Sequence, residues 1–236
     1  MKRSEINQCI TNAIDFFAEH RFSLPPFAHW TLETWRERGL ETDEIRQRHL
    51  GWDVTDFNSG LFTSCGLTLF TLRNGSSSDV SDHQSYAEKI MMVREKQITP
   101  LHRHERKTED IINRSSSIAV ELAVQLYNSA ADGGLADTPV TVICDGITCH
   151  TKPGGLIILR AGESITLTPG LYHSFYSVNG NALIGEVSST NDDLTDNHFY
   201  QPLSRFPEVL EDEAPFRLLS RDYSGLSIPA SATRNI

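Results

Sequence analysis

Two stretches of the chain carry side chains suited to chemistry. Pro100-Leu101-His102-Arg103-His104-Glu105-Arg106-Lys107-Thr108-Glu109 sets two imidazoles two positions apart and follows them with a carboxylate. Gly162-Glu163-Ser164-Ile165-Thr166-Leu167-Thr168-Pro169-Gly170-Leu171-Tyr172-His173 ends in a third imidazole. Alternate residues of a β-strand face the same side. A strand through His102 and His104 therefore aims both rings at one point. Glu109 returns to that point after a short turn, and His173 arrives on a second strand. Three imidazoles and one carboxylate suffice to hold a divalent transition metal, and this donor set admits Mn, Fe, Co, Ni or Zn. Four protein ligands leave two corners of an octahedral shell, which suits the adjacent oxygens of a hydroxy-carbonyl compound.

Other residues are candidates for the work around such an ion. Lys89 lies within an expected strand, Tyr86 to Val93, where a charge either lines a cavity or faces solvent. Lys107 lies between the ligands. Glu186 ends the apolar run Ala182-Leu183-Ile184-Gly185-Glu186-Val187, and a carboxylate is rarely buried without reason. Glu186 is therefore the expected base, with Lys89 or Lys107 orienting or protonating a substrate oxygen. Asp196 and Arg205 are the expected substrate contacts. For Asp196, as for Asp192 and Asp193, turn formation is the competing role. Arg205 either clamps a substrate oxygen or pairs with the acidic run Glu211-Asp212-Glu213. His20, His29, His49, His83, His150 and His198 lack comparable company and read as surface or structural residues.

These side chains need a scaffold of short strands. Ser4 is the expected N-cap of a helix whose apolar face is Ile6, Cys9, Ile10, Ala13, Ile14 and Phe17. Pro25-Pro26 stop it, and Thr31-Leu32-Glu33-Thr34-Trp35 starts a second helix. Residues 1–55 thus read as a helical arm. From 56 to 223 the chain becomes strands and turns: Leu61 to Leu72, Tyr86 to Val93, Gln97 to His104, Ala119 to Tyr127, Val140 to Ile143, Ile147 to His150, Gly155 to Leu159, Ser164 to Leu167, Ser174 to Val178 and Ala182 to Val187. Asp145-Gly146 and Asn179-Gly180 are hairpin turns, and Gly75 to Asp79 is a surface loop. Many short strands with glycine turns predict a mainly β sandwich or closed barrel. Residues 224–236 are polar, without periodicity, and are expected to be a mobile tail.

The 236 residues include 21 basic and 31 acidic ones, a net charge of −10. That balance argues against nucleic acid, whose phosphates need a basic footprint, and against an anionic membrane surface. Cys9, Cys65, Cys144 and Cys149 match no zinc-knuckle spacing and are too few for a disulfide-stapled secreted chain. They read as reduced thiols. The N-terminus is amphipathic, with no signal peptide and no membrane-length apolar run, so a cytoplasmic location is expected.

The pattern His-x-His-x4-Glu followed by Gly-x6-Pro-Gly-x2-His resembles the two cupin motifs, matched by His102, His104, Glu109 and by Gly162, Pro169, Gly170, His173. More of the chain resembles the D-lyxose ketol-isomerase family of cupins. The matching segments are Tyr86-Ala87-Glu88-Lys89-Ile90-Met91, Thr99-Pro100, Glu109-Asp110-Ile111-Ile112-Asn113-Arg114, Leu167 to Phe175, Gly185-Glu186-Val187-Ser188, Asn191-Asp192-Asp193 and Arg205-Phe206-Pro207. The resemblance implies a double-stranded β-helix barrel with an N-terminal helical arm and the four ligands in its mouth. It implies manganese and the interconversion of D-lyxose with D-xylulose, and of D-mannose with D-fructose, by proton transfer between C1 and C2 through a metal-stabilised enediolate. A homodimer is expected, the arm covering a strand edge. The competing readings are a metal-dependent dioxygenase and a non-catalytic sugar-binding cupin. Two departures from the family pattern, Arg103 between the paired histidines and Ser115-Ser116-Ser117 in place of glycines, are expected to act on a loop beside the pocket and so on the choice of sugar.

Overall fold

The computed structural model of the chain describes residues 1–76 and 82–226. Part of the loop expected at Gly75 to Asp79 and most of the expected tail lie outside them. The fold is two antiparallel sheets. The larger has eight strands in the order β1 (Gly51–Thr55), β2 (Leu67–Arg73), β3 (Tyr86–Val93), β12 (Ala182–Ser189), β5 (Glu109–Asn113), β10 (Ser164–Leu167), β7 (Val140–Cys144) and β8 (Ile147–Thr151). The smaller has five: β13 (His198–Phe199), β4 (His102–Arg103), β11 (Tyr172–Val178), β6 (Glu121–Tyr127) and β9 (Leu156–Leu159). Leu69, Met91, Ile111, Ile165 and Ile184 from the large sheet meet Leu122, Val124, Leu126 and Phe175 from the small one in a shared core. Strand alternation places every second residue in that core.

The helical arm covers the other face of the large sheet. Helix α1 (Arg3–Glu19) buries Ile6, Cys9, Ile10, Ala13 and Phe17 against Trp52, Val54, Phe70, Ile90 and Leu183. Helices α2 (Leu32–Glu37) and α3 (Asp43–Gln47) follow, and Thr31 caps α2 by accepting the Thr34 N–H at 3.2 Å. Helix α1 begins one residue before the expected cap, Ser4. Its free amides are satisfied from outside, the Ser4 N–H donating to Asp212 at 2.9 Å. Gly51–Thr55, expected within the arm, is instead a strand of the large sheet, buried at every position because sheet core and arm cover its two faces. Gly51 opens that strand at φ +116°, and a Cβ there would meet the Tyr223 hydroxyl.

Both predicted hairpin turns form, with φ +48° and +82° at Asp145-Gly146 and +62° and +129° at Asn179-Gly180. Gln97 to His104 is not a continuous strand. Pro100 cannot donate to a ladder, and it separates isolated bridges at Ile98, to Cys65 and Tyr176, from the two-residue strand His102–Arg103. Leu61 to Leu72 splits likewise into a turn, closed by the Ser64 and Cys65 N–H groups on the Leu61 carbonyl, and strand β2.

Candidate metal centre

The centre sits where the two sheets face each other. In the small sheet His173 is the direct cross-strand partner of His102. In the large sheet Glu109 pairs with Ser188 and Ile111 with Glu186, while Glu186 pairs with Lys89 across β3. The two-residue period places Glu109, Ile111, Glu186 and Lys89 on one interior face. One ligand atom from each of His102, His104, Glu109 and His173 lies within 4.8 Å of the others.

The imidazoles are held in one tautomer. Nδ1 of His102 lies 2.8 Å from the Pro100 carbonyl, and Nδ1 of His173 lies 3.1 Å from that of Leu171. Nδ1 of His104 meets the Asp196 carbonyl. A carbonyl only accepts, so each Nδ1 carries the proton and each Nε2 turns a bare lone pair inward. Nε2 of His104 and of His173 are buried without a hydrogen-bond partner. The Glu109 Oε1 lies 2.9 Å from Nε2 of His173 and 3.5 Å from Nε2 of His104. Acceptors gathered this closely repel unless a cation lies among them. Desolvation, then the neighbouring His173 and His104 rings, hold His102 well below the usual imidazole range, so it is neutral and ready to ligate. Orphaned acceptors, the fixed tautomer and the mixed nitrogen and oxygen donors all fit a divalent transition metal.

A second layer of charge surrounds these ligands. Lys107 Nζ lies 2.5 Å from Glu109 Oε2 and 3.1 Å from Glu186 Oε1, and Lys89 Nζ is 3.2 Å from the same Glu186 oxygen. Burial alone would lower the Lys107 pKa. Glu109, Glu186 and Asp193 outweigh it and hold the ammonium above the usual lysine range. Burial pushes Glu109 upward, but the Lys107 ammonium outweighs it and keeps the carboxyl well below the usual range. Asn191 Oδ1 accepts from both lysines, at 2.8 Å from Lys89 and 3.2 Å from Lys107. Glu186 thus stands in the cavity, gripped by two ammonium groups.

The remaining expected residues divide. Arg205 lines the cavity, but its guanidinium pairs with Asp53 and lies 3.6 Å from Asp193; the acidic run is elsewhere, with Glu211 on Arg3, Asp212 on Ser4 and Glu213 on Asn7. The Asp196 carboxylate accepts the backbone N–H groups of Glu105, Arg106 and Lys107 and does not line the cavity. It shapes the turn that returns Glu109 to the histidines, which is the competing role for a loop aspartate. Its neighbour Asp193 does line the cavity, and its carboxyl is held well below the usual range because Lys89 and Arg205 outweigh burial. Sequence reasoning missed Asn191, Asp53 and Phe199, whose ring lies 5.8 Å from that of His102. Only Asp53, a charge amid the apolar Trp52-Asp53-Val54, had a local signal. The serines do not adjoin the pocket. They follow Asn113, at the end of β5 opposite Glu109 and about 13 Å along the strand, where Ser115 Oγ accepts the Leu183 N–H. The Arg103 side chain points away from the cavity, onto Glu105 and the Tyr172 ring.

A barrel-like pair of antiparallel sheets with three histidines and a glutamate gathered inside it defines a cupin-type protein. The sequence profile of the D-lyxose isomerase family matches residues 1–223. The D-lyxose/D-mannose isomerase of Serratia proteamaculans is 47% identical over 226 residues, covering 94% of this chain and 98% of that one. The protein of the same name from Escherichia coli O157:H7 is 46% identical over 228 residues, with the same coverage. Among solved structures, a mutant of the L-ribose isomerase of Acinetobacter sp. DL28 in complex with L-ribose shares the fold at TM-score 0.55 and 14% identity, covering 87% of this chain and 94% of that one. The Cellulomonas parahominis L-ribose isomerase with L-ribose does so at 0.53 and 17%, covering 89% and 97%. The chain belongs to the D-lyxose isomerase family.

Proposed function

We propose that this protein is a metal-dependent aldose–ketose isomerase that interconverts D-lyxose with D-xylulose and D-mannose with D-fructose. The observation that carries this reading is the Glu186 carboxylate beside the converging acceptors of His102, His104, Glu109 and His173, its Oε1 shared by Lys89 and Lys107. The four ligands would hold the cation, manganese by family resemblance. A divalent ion there supplies positive charge to two neighbouring sugar oxygens, which makes the intervening C–H more acidic.

Glu186 removes the proton from C2 of the open-chain aldose and returns it to C1 of the ketose. Lys107 and Lys89, on either side of the base, donate to the substrate oxygens as charge moves from C2 to O1 and O2. Three buried cations, Lys89, Lys107 and Arg205, face four carboxylates, Glu109, Glu186, Asp193 and Asp53. A divalent ion converts that single negative excess into a single positive one, matching the charge the sugar acquires.

Assaying manganese-loaded protein against a panel of pentoses and hexoses tests the substrate class. Glu186→Gln is expected to lower kcat by about 10²- to 10⁴-fold with metal affinity unchanged. In D2O, proton transfer exchanges solvent deuterium into the product at C1. A Glu186→Gln protein of wild-type rate whose product carries no deuterium would replace the base mechanism by a hydride shift.

A further inference from the structure

The cavity lined by His102, His104, Glu109 and Glu186 has a volume of about 40 Å³. A water needs about 10–15 Å³ of such space, so the cavity has room for about three waters, and a sugar of five or six carbons does not fit without movement of a wall. A second cavity of about 790 Å³ lies beside it. Thr71, on its wall, is the cross-strand neighbour of Lys89, on the wall of the smaller one. The two cavities therefore lie side by side over one face of the large sheet.

The partition between them is ionic. Asp193 lines both cavities, Arg205 lines the inner one and Asp53 the outer one. Arg205 is tied to Asp53 by a close ion pair, whereas Asp193 stands 3.6 Å from Arg205 and 3.5 Å from Lys89. Asp193, whose Oδ1 also accepts from the Asn197 side chain at 3.0 Å, is the member of the wall carried on a loop, between the end of β12 and the short strand β13. The outer cavity offers the chemistry that binds polyols: carboxylates (Asp53, Asp192), amides (Asn74, Asn191) and the rings of Phe206 and Tyr223. Carboxylates and amides take paired hydroxyls, and rings cover the C–H face of a sugar.

We propose that the outer cavity is an aldose-binding vestibule, and that the sugar reaches the metal centre from it by displacing Asp193 from Arg205. The proposal rests on the isomerase reading above. Its test fills the vestibule without touching the inner site. Ser220 and Leu194 line the outer cavity only, and Leu194 is 71% exposed. Ser220→Trp and Leu194→Trp are expected to lower kcat/KM for the preferred aldose at least ten-fold, with manganese affinity and melting temperature unchanged. If Ser220→Trp misfolds, Leu194→Trp, on an exposed loop, decides. Wild-type kcat/KM in the folded tryptophan variants overturns the vestibule and leaves the isomerase standing. A wild-type protein that converts no aldose overturns the isomerase reading itself and the vestibule with it.

Discussion

At the scale of single residues, the support behind the ligands matters as much as the ligands. Asp196 contributes nothing to the cavity wall, yet its carbonyl fixes the His104 ring and its carboxylate collects three backbone N–H groups of the turn leading to Glu109. Such outer contacts are worth about 10- to 100-fold in metal affinity. Asp196→Ala is accordingly expected to weaken manganese binding by about that factor, measured by calorimetric titration; an unchanged affinity would show the turn to be held by other means. His102 sets a pH dependence. Its folded-state pKa is depressed by desolvation and the adjacent rings, whereas an unfolded imidazole titrates near about 6.5. The unfolded chain therefore takes up the proton first, and the stability that depends on a neutral His102 is present above about pH 6.5 and lost as pH falls below it. Glu109 and Asp193, also depressed, add to that loss below about pH 4. Urea unfolding of chelator-treated protein is expected to show falling stability from pH 7 to 5, and His102→Asn to flatten that slope.

At the scale of elements, the convergence of His102, His104, Glu109 and His173 was legible because a strand's period is short and the motif is local, whereas the groups around them were not. His102, His104 and Glu109 share ten residues of sequence, and Pro169-Gly170 announces the strand of His173. Asn191 reaches the lysines only because its backbone N–H and carbonyl bond the Asn74 side chain, more than a hundred positions away. Pairings at that distance leave no periodic trace. Strand β1 was missed for a related reason: covered on both faces, it shows no alternation of apolar and polar residues. The docking of α1 was half legible, since its apolar face was evident but its partner at the other end of the chain was not. Arg3 is buried between Glu211 and Asp222, at 2.6 and 2.9 Å. Removing one partner of a buried pair costs about 3–5 kcal/mol. Glu211 is 56% exposed and the solvent relieves part of that cost, so Arg3→Ala is expected to destabilise by about 2–3 kcal/mol. Urea unfolding measures the loss. A change below about half a kilocalorie, the range of ordinary surface substitutions, would show that the C-terminal segment holds α1 without this contact.

At the scale of the whole molecule, a cation at the candidate centre would staple the two sheets together. His102, His104 and His173 stand on or beside strands of the small sheet, and Glu109 on the large one. Without a cation, Glu109 Oε1 faces the bare Nε2 lone pairs of His104 and His173, and the last two strands at one side of the small sheet, β4 and β13, contribute two residues each. A cation turns that repulsion into attraction and couples the last strands of one sheet to the middle of the other. Because an unfolded chain does not preform the site, binding free energy becomes folding free energy. At a free metal concentration of a hundred times Kd the gain is about 2.7 kcal/mol, which for a chain of this length corresponds to about 5–10 °C in melting temperature. Thermal unfolding with manganese and with chelator measures the difference. The effect must be absent in His173→Ala, which removes the residue paired directly with His102. A melting temperature indifferent to chelator in the wild-type protein would mean that no ion joins the sheets, and that the four acceptors are held together by protons instead.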